Sequence, residues 1–147
     1  MISFRKITED NFEAILSMKR PDGEGFVASN AVSLAQAWLY REDGDVFPAA
    51  IYEEETPVGF LLLEEDMEEQ QLILWRIMFP EEYTGKGYGT QAVELLIRLA
   101  KESGRYDNLC LDCDPQNAVA RHVYEKLGFQ PTGVISHGGS IEMQLKL

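Results

Sequence analysis

The sequence predicts a mixed α/β domain in the order β-α-α-β-β-β-α-β-α-β-β, an α+β arrangement with a central sheet of about seven strands and about four helices. Three observations predict it. Residues 72–79 (LILWRIMF) are apolar and partly β-branched, the pattern of a buried strand. They run into a loop with glycine at every second position, Gly85, Gly87 and Gly89, which opens directly into an amphipathic helix. The next apolar segment, residues 109–113, follows that helix, so the fourth and fifth strands are joined by a helical crossover and are expected to run parallel.

Taken in order, residues 2–7 alternate and read as the first strand. Thr8 is placed to cap a helix, with Glu9 and Asp10 in its first turn and Phe12, Ile15 and Leu16 expected inward until about Lys19. Residues 21–25 (PDGEG) break the chain. A second helix follows over about 31–41, with Leu34, Ala37, Trp38 and Arg41 on one face. Residues 46–52 and 58–64 are the second and third strands around a 53–57 hairpin loop, and Gly59 marks a candidate bulge. The fourth strand and glycine loop lead to the long helix, whose Ala92, Val93, Leu96, Leu99 and Ala100 recur at three- and four-residue spacing. That helix ends near Ser103-Gly104.

After the fifth strand, Asp114-Pro115 opens another helix that Asp114 or Asn117 could cap, with Val119, Ala120, Val123 and Leu127 on one face and Gly128 at its end. Residues 129–135 and 141–147 form a last hairpin. The final strand alternates Ile141, Met143, Leu145 and Leu147 with Glu142, Gln144 and Lys146. There are no repeats and no low-complexity tract, so residues 1–147 read as a single domain.

The chain carries 25 acidic and 13 basic residues, a net charge of −12. Nucleic acid and anionic membrane are disfavoured as partners, because both call for a basic footprint. A cationic substrate is compatible, as is charge that serves solubility alone. Residues 53–69 hold eight acidic residues and no Lys or Arg. No apolar run approaches the ~20 residues of a membrane span, and residues 2–7 read as a strand rather than a signal peptide, so a cytoplasmic location is expected. Cys110 and Cys113 form a C-x-x-C inside a strand; three residues apart they fall on opposite faces, which points to packing thiols rather than a metal or redox pair. No metal is expected.

A glycine loop at a helix N-terminus directs several backbone N–H groups at one point, reinforced by the helix dipole. A phosphate or pyrophosphate is its natural guest; a ligand-free turn is the alternative. No G-x-x-x-x-G-K-[ST] occurs, and the third glycine comes one residue too soon for a dinucleotide fingerprint.

With T-G-K-G-Y-G at residues 84–89 and N-A-V-A-R-H-V-Y-E-K-L-G-F at 117–129, the chain resembles the GNAT family of N-acetyltransferases over nearly its whole length. The loop pattern [QR]-x-x-G-x-[GA] is met except at its first position, where Thr84 stands for Gln or Arg. The downstream pattern is met at Asn117, Ala120, Val123, Tyr124, Gly128 and Phe129.

The resemblance implies an acetyl-CoA site. The loop and helix start (Thr84, Gly85, Lys86, Gly87, Tyr88, Gly89, Thr90) would hold the pyrophosphate. The pantetheine arm would lie along Ile77, Met78 and Phe79, with the fourth and fifth strands splayed to admit it. Asn117 and Ala120 would flank the arm, and Lys126 would meet a phosphate. A backbone N–H near Met78 would face the developing oxyanion, and Tyr124 would give a proton to the leaving thiolate. The acidic pair that animal diamine acetyltransferases carry on the fourth strand is replaced here by Trp75 and Arg76.

Candidate acceptor-binding residues are Glu24, Phe26, Glu53, Glu64, Trp75 and Asp112, the four carboxylates also being candidate bases. The finer resemblance, carried by residues 26–38 and 75–79, is to bacterial spermine/spermidine acetyltransferases. It implies a polyamine acceptor, with an amino-acid or peptide amine, or a non-catalytic acetyl-CoA sensor, as alternatives. The family commonly forms homodimers, which sets the same expectation here.

Overall fold

The computed structural model describes residues 1–20, 29–136 and 138–147. Its elements follow the expected order: β1 (Ile2–Arg5), α1 (Glu9–Ser17), α2 (Asn30–Leu39), β2 (Val46–Glu53), β3 (Thr56–Asp66), β4 (Gln71–Met78), α3 (Tyr88–Ser103), β5 (Asn108–Cys113), α4 (Ala118–Lys126), β6 (Gln130–Ile135) and β7 (Ile141–Lys146). A single 3₁₀ turn, Glu81–Tyr83, sits between β4 and the glycine loop and was not anticipated.

The strands form one mixed sheet of order β1-β2-β3-β4-β5-β7-β6. Neighbours are antiparallel except β4 and β5, which run parallel because α3 carries the chain between them.

Strand alternation divides the core between the two sheet faces. Ile51, Leu61, Leu72, Leu74, Leu109, Leu111 and Met143 pack with Val93 and Leu96 of α3 and with Tyr124 and Phe129. Ala50, Tyr52, Phe60 and Leu62 pack on the other face with Ile15 of α1 and Met78. The helices thus lie on both sides of the sheet, α3 and α4 opposite α1 and α2.

Several side chains depart from the expected faces. Phe12 and Leu99 are exposed, as are Trp38 (66%) and Val119 (79%). Each stands at the rim of its helix's apolar stripe, where spacing alone does not separate contact from solvent. Trp38 is instead covered by Arg41, whose guanidinium lies 3.6 Å from the ring centroid. The residues that α2 does bury are polar, Asn30 and Ser33. In α1 the buried residue beside Ile15 is Asn11, which closes a capping box with Thr8.

Candidate active site

β4 loses one of its two partners halfway along. Gln71 to Leu74 pair with Asn108 to Leu111 of β5, and there the pairing stops, although both strands continue. Beyond that point β5 pairs on its other edge with β7, Asp112 opposite Glu142 and Cys113 opposite Ile141. The splay required of the fourth and fifth strands is therefore present.

Its cause lies on β4's other edge. Leu63 pairs with Leu74 and Leu62 with Arg76, so Trp75 is an extra residue, a β-bulge. A bulge bends a strand and shifts its alternation by one. Leu72 and Leu74 face α3, whereas Met78, four residues after Leu74, faces α1. The result is a strand end, Trp75–Met78, with one backbone edge unpaired and facing the gap.

The glycine loop sits just past this end. Gly85 and Gly87 have φ of 74° and 80°, a region that side chains disfavour, and Gly87 is the N-cap of α3. A Cβ at Gly85 would meet nothing within 4 Å, and one at Gly87 only Gln91 Nε2 at 3.7 Å. The first intrahelical bond is Gln91 N–H to Gly87 O, and no side chain caps the helix. The N–H groups of Tyr88, Gly89 and Thr90 are thus left without helical acceptors.

An open helix start with free donors suits a pyrophosphate. Lys86 stands over the Tyr83 ring at 5.9 Å, and Tyr83 and Tyr88 lie 6.3 Å apart. The Thr84 hydroxyl is already donated to Glu81 O. Phe79 wedges between loop and sheet: its ring would be 3.7 Å from a Cβ at Gly89 and 2.8 Å from one at Gly59. Gly59 flanks the bulge at Ile51/Tyr52, in keeping with its sequence reading, and its bareness also admits Phe79 and the Met78 carbonyl.

On the β5 side of the gap, Asn117 is the N-cap of α4, its Oδ1 accepting from Ala120 N at 3.3 Å. Its amide NH₂ takes no part in that cap. Ala120 is half-buried at the edge of the core. Tyr124 lies almost wholly buried, edge-on to Phe129 at 5.8 Å between centroids. Burial, and secondarily the Cys113 thiol, push its phenol up to about 12. The hydroxyl takes no protein hydrogen bond among the described residues. It is not among the sealed, unpartnered atoms either, which are Asn30 Oδ1 and Glu53 Oε2. Lys126 is exposed in the last turn of α4.

The candidate acceptor residues separate. Glu24 and Phe26 lie outside the described residues. Glu53 is not at the site: with Glu54 it holds the N-terminal ammonium, at 2.9 and 2.6 Å. Asp112 is exposed and faces Glu142 across the β5–β7 pair; burial, then Glu142, raises its pKa. Glu64 and Trp75, however, come together. With Tyr40, Asp43, Asp45 and Val46 they line a cavity of about 290 Å³ on the α2 side of β4. Tyr40 and Trp75 lie 6.3 Å apart, and the Glu64 carboxyl is pushed up by burial, then by Asp45 and Asp66.

Sequence reading missed Tyr40, Asp43 and Asp45; the signal was the acidic turn E-D-G-D that follows α2. A larger hollow of about 440 Å³ lies against α1, lined by Ile7, Thr8, Glu9, Phe12 and Glu13, and shares no residue with the β4–α3 cradle.

The acidic run at 53–69 is dispersed. Glu53 to Glu55 bind the N-terminus and Arg5 at one end of β3, and Glu65 binds Arg105 at 2.8 Å at the other. The cysteines are free. Cys110 donates to Gln71 Oε1 at 2.8 Å, and Cys113 packs in the cluster that holds Tyr124.

Comparison with known proteins places this geometry. Residues 8–129 match the family model for the acetyltransferase (GNAT) family. The spermine/spermidine N(1)-acetyltransferase of Bacillus subtilis is 28% identical over 153 aligned positions, which cover 99% of each chain. Among solved structures, spermidine N-acetyltransferase from Vibrio cholerae, in complex with CoA and spermine, superposes with a TM-score of 0.80 at 14% identity, over 99% of this chain and 95% of that one. The aminoglycoside acetyltransferase AAC(6')-Ib, in complex with coenzyme A, gives 0.80 at 19% over the same shares. The splayed strand, the glycine-capped helix and the family match agree: this chain belongs to the GNAT family and is an N-acetyltransferase.

Proposed function

We propose that the protein transfers the acetyl group of acetyl-CoA to a primary amine of a small polycation of the spermidine or spermine class. The observation that carries the cofactor half is the splay: an unpaired strand edge at Trp75–Met78 leads to a helix start with unbonded N–H groups. Extended pantetheine can pair with such an edge as an added strand would, and the cradle of Gly85, Gly87 and the Tyr88–Thr90 amides can take the pyrophosphate.

When bound, acetyl-CoA supplies an electrophilic thioester carbonyl and a thiol leaving group. The chain's part is to orient and to donate. The backbone of Ile77–Phe79 would hold the thioester end, with a backbone N–H near Met78 available to the carbonyl oxygen. Asn117 fixes the opposite wall and offers its NH₂ to the arm. Tyr124 keeps its proton well above neutral pH, so its phenol serves as a hydrogen-bond donor to the departing sulfur. A free thiol's pKa of ~8.5 lies far below that phenol's, so sulfur can leave as thiolate while the acetylated nitrogen releases its proton to water, and water re-protonates the sulfur.

The acceptor assignment is supported by the B. subtilis relative and by the Glu64–Asp45–Asp43 cavity with its two aromatic walls. Carboxylates crowded enough to raise Glu64 are relieved by an ammonium, and aromatic faces attract the same cation.

The test is CoA-thiol release with spermidine, spermine, putrescine, an aminoglycoside, free amino acids and a peptide N-terminus. Fastest turnover with spermidine or spermine is expected; activity confined to peptides or amino acids would discard the polyamine. Acetyl-CoA should also raise the melting temperature, and Gly87→Glu should abolish that rise by placing charge and bulk in the cradle. An unchanged rise in the variant would remove the loop from the cofactor site.

A further inference from the structure

β4 between Trp75 and Met78 is held to β3 on one edge and to nothing on the other, yet its backbone must be placed to within fractions of an ångström for transfer. α2 lies against these residues and touches them in reverse order. Near its N-terminus Asn30 directs Nδ2 to Ile15 O at 2.8 Å and to Met78 Sδ at 3.9 Å. One and two turns on, Ser33 Oγ and Gln36 Oε1 both accept from Arg76 Nη1, the former at 3.2 Å. At the C-cap, Tyr40 meets Trp75.

Asn30, Ser33 and Gln36 stand at i, i+3 and i+6, one face of the helix. That face would ordinarily be apolar, and here two of its members are the polar residues α2 buries. Arg76 is half-buried, and burial lowers its pKa. It lies 4.9 Å from the Trp75 ring and forms no ion pair among the described residues. Its hydrogen bonds go to the helix.

We propose that α2 is a polar clamp on the splayed half of β4, and that Arg76, held by Ser33 and Gln36, is a positioning residue that fixes Ile77–Phe79 for acetyl transfer. Beside the apolar contacts of Leu34, Ala37 and Tyr40, the contacts of Asn30, Ser33 and Gln36 are hydrogen bonds, which specify one register of strand against helix where a wholly greasy face would tolerate sliding. The clamp also joins two parts of the site. Trp75 and Tyr40 wall the acidic cavity at one end of α2, and Met78 lies at the other.

This inference rests on the assignment of β4's free edge to the thioester, and its test has one readout that does not depend on turnover. The first measurement is backbone hydrogen exchange in the protein without cofactor. Arg76→Leu should speed exchange of the segment 75–79 at least tenfold and leave 71–74, which β5 holds, unchanged. The second is steady-state kinetics at saturating acetyl-CoA and acceptor. Arg76→Leu and Arg76→Lys should each lower kcat roughly tenfold or more, with CoA affinity, to which the glycine loop contributes independently of β4, changed by a smaller factor.

Gln36→Glu added to Arg76→Lys supplies a charged acceptor in place of the amide and should recover most of the lost kcat. If Arg76→Leu does not fold, Gln36→Leu, at a partly exposed position, carries the same two readouts. Unchanged exchange at 75–79 overturns the clamp whether or not the enzyme reading stands. Faster exchange with undiminished kcat overturns the positioning role. A wild type that binds CoA but acetylates no amine would strike the proposed function and leave the exchange result to judge the clamp.

Discussion

The two halves of β4 are made by different rules. Gln71 to Leu74 have a ladder on both edges and bury Leu72 and Leu74 against α3. Trp75 to Met78 have a ladder on one edge, a bulge at their start and side-chain tethers to α2. The first half is fixed by backbone pairing and apolar contact, which tolerate little change in volume but do not care which polar groups lie nearby. The second half lacks backbone pairing on one edge, the edge proposed for the cofactor, and specific side chains must replace the lost order. Stability should therefore reside in the first half and activity in the second.

Variants can break or sharpen that division. The largest effect is expected at Tyr124, buried on the α3 and α4 side of the sheet. Tyr124→Phe removes a hydrogen-bond donor to the departing sulfur and should lower kcat by roughly 10²–10³-fold while CoA still raises the melting temperature. The same variant has a signature in pH. The folded phenol titrates at about 12 against an ordinary 10, so native protein keeps a proton that the unfolded chain loses between those values. Stability conferred by the protonated phenol is full below pH 10 and is lost as pH rises towards 12. The loss amounts to about 2–3 kcal/mol, and urea titrations across that window should show a smaller decline in Tyr124→Phe.

Next, Leu74→Ala in the paired half should cost about 2–5 kcal/mol of stability. kcat per folded molecule should be nearly unchanged, as read by denaturation and by active-site-normalised rates. A large kcat loss there would erase the division.

The smallest effect in stability is Gly59→Ala, about 1–3 kcal/mol, yet it should cut kcat/KM by tenfold or more. Its Cβ would lie 2.7 Å from the Met78 carbonyl oxygen, so the splayed half has to move. Stopped-flow or steady-state rates beside a melting curve would separate the two.

The sequence made the local parts of the site legible. Glycines at 85 and 87 announce their left-handed backbone, and Asn117 with Ala120, Tyr124 and Phe129 marks the cap and inner face of α4 within thirteen residues. The crossover between the fourth and fifth strands was readable for the same reason, because one helix separates them.

What depended on pairing across the chain was not readable. Trp75 looks like any strand residue in LILWRIMF, and its extra count appears only against β3. The clamp was hidden because Leu34, Ala37 and Trp38 outweigh Asn30, Ser33 and Gln36 in any hydrophobic count. Acidity was legible in amount and misleading in place. The densest run, 53–69, is divided between the two ends of β3, whereas the cavity draws Asp43 and Asp45 from a turn and only Glu64 from the run.

The bulge at Trp75 can also be described as a phase slip. A strand repeats every two residues, so one extra residue advances everything after it by half a period. Met78 reaches the α1 and α2 side of the sheet, Ile77 packs towards α3, and the free edge opens, all from that single count. Substitutions within residues 75–79 alter the chemistry of the site but keep its phase. Loss of one residue there would keep much of the composition and return the strand to step with both neighbours, leaving a regular sheet where a cleft had been. For this chain, residue number along β4 shapes the gap as much as residue type does.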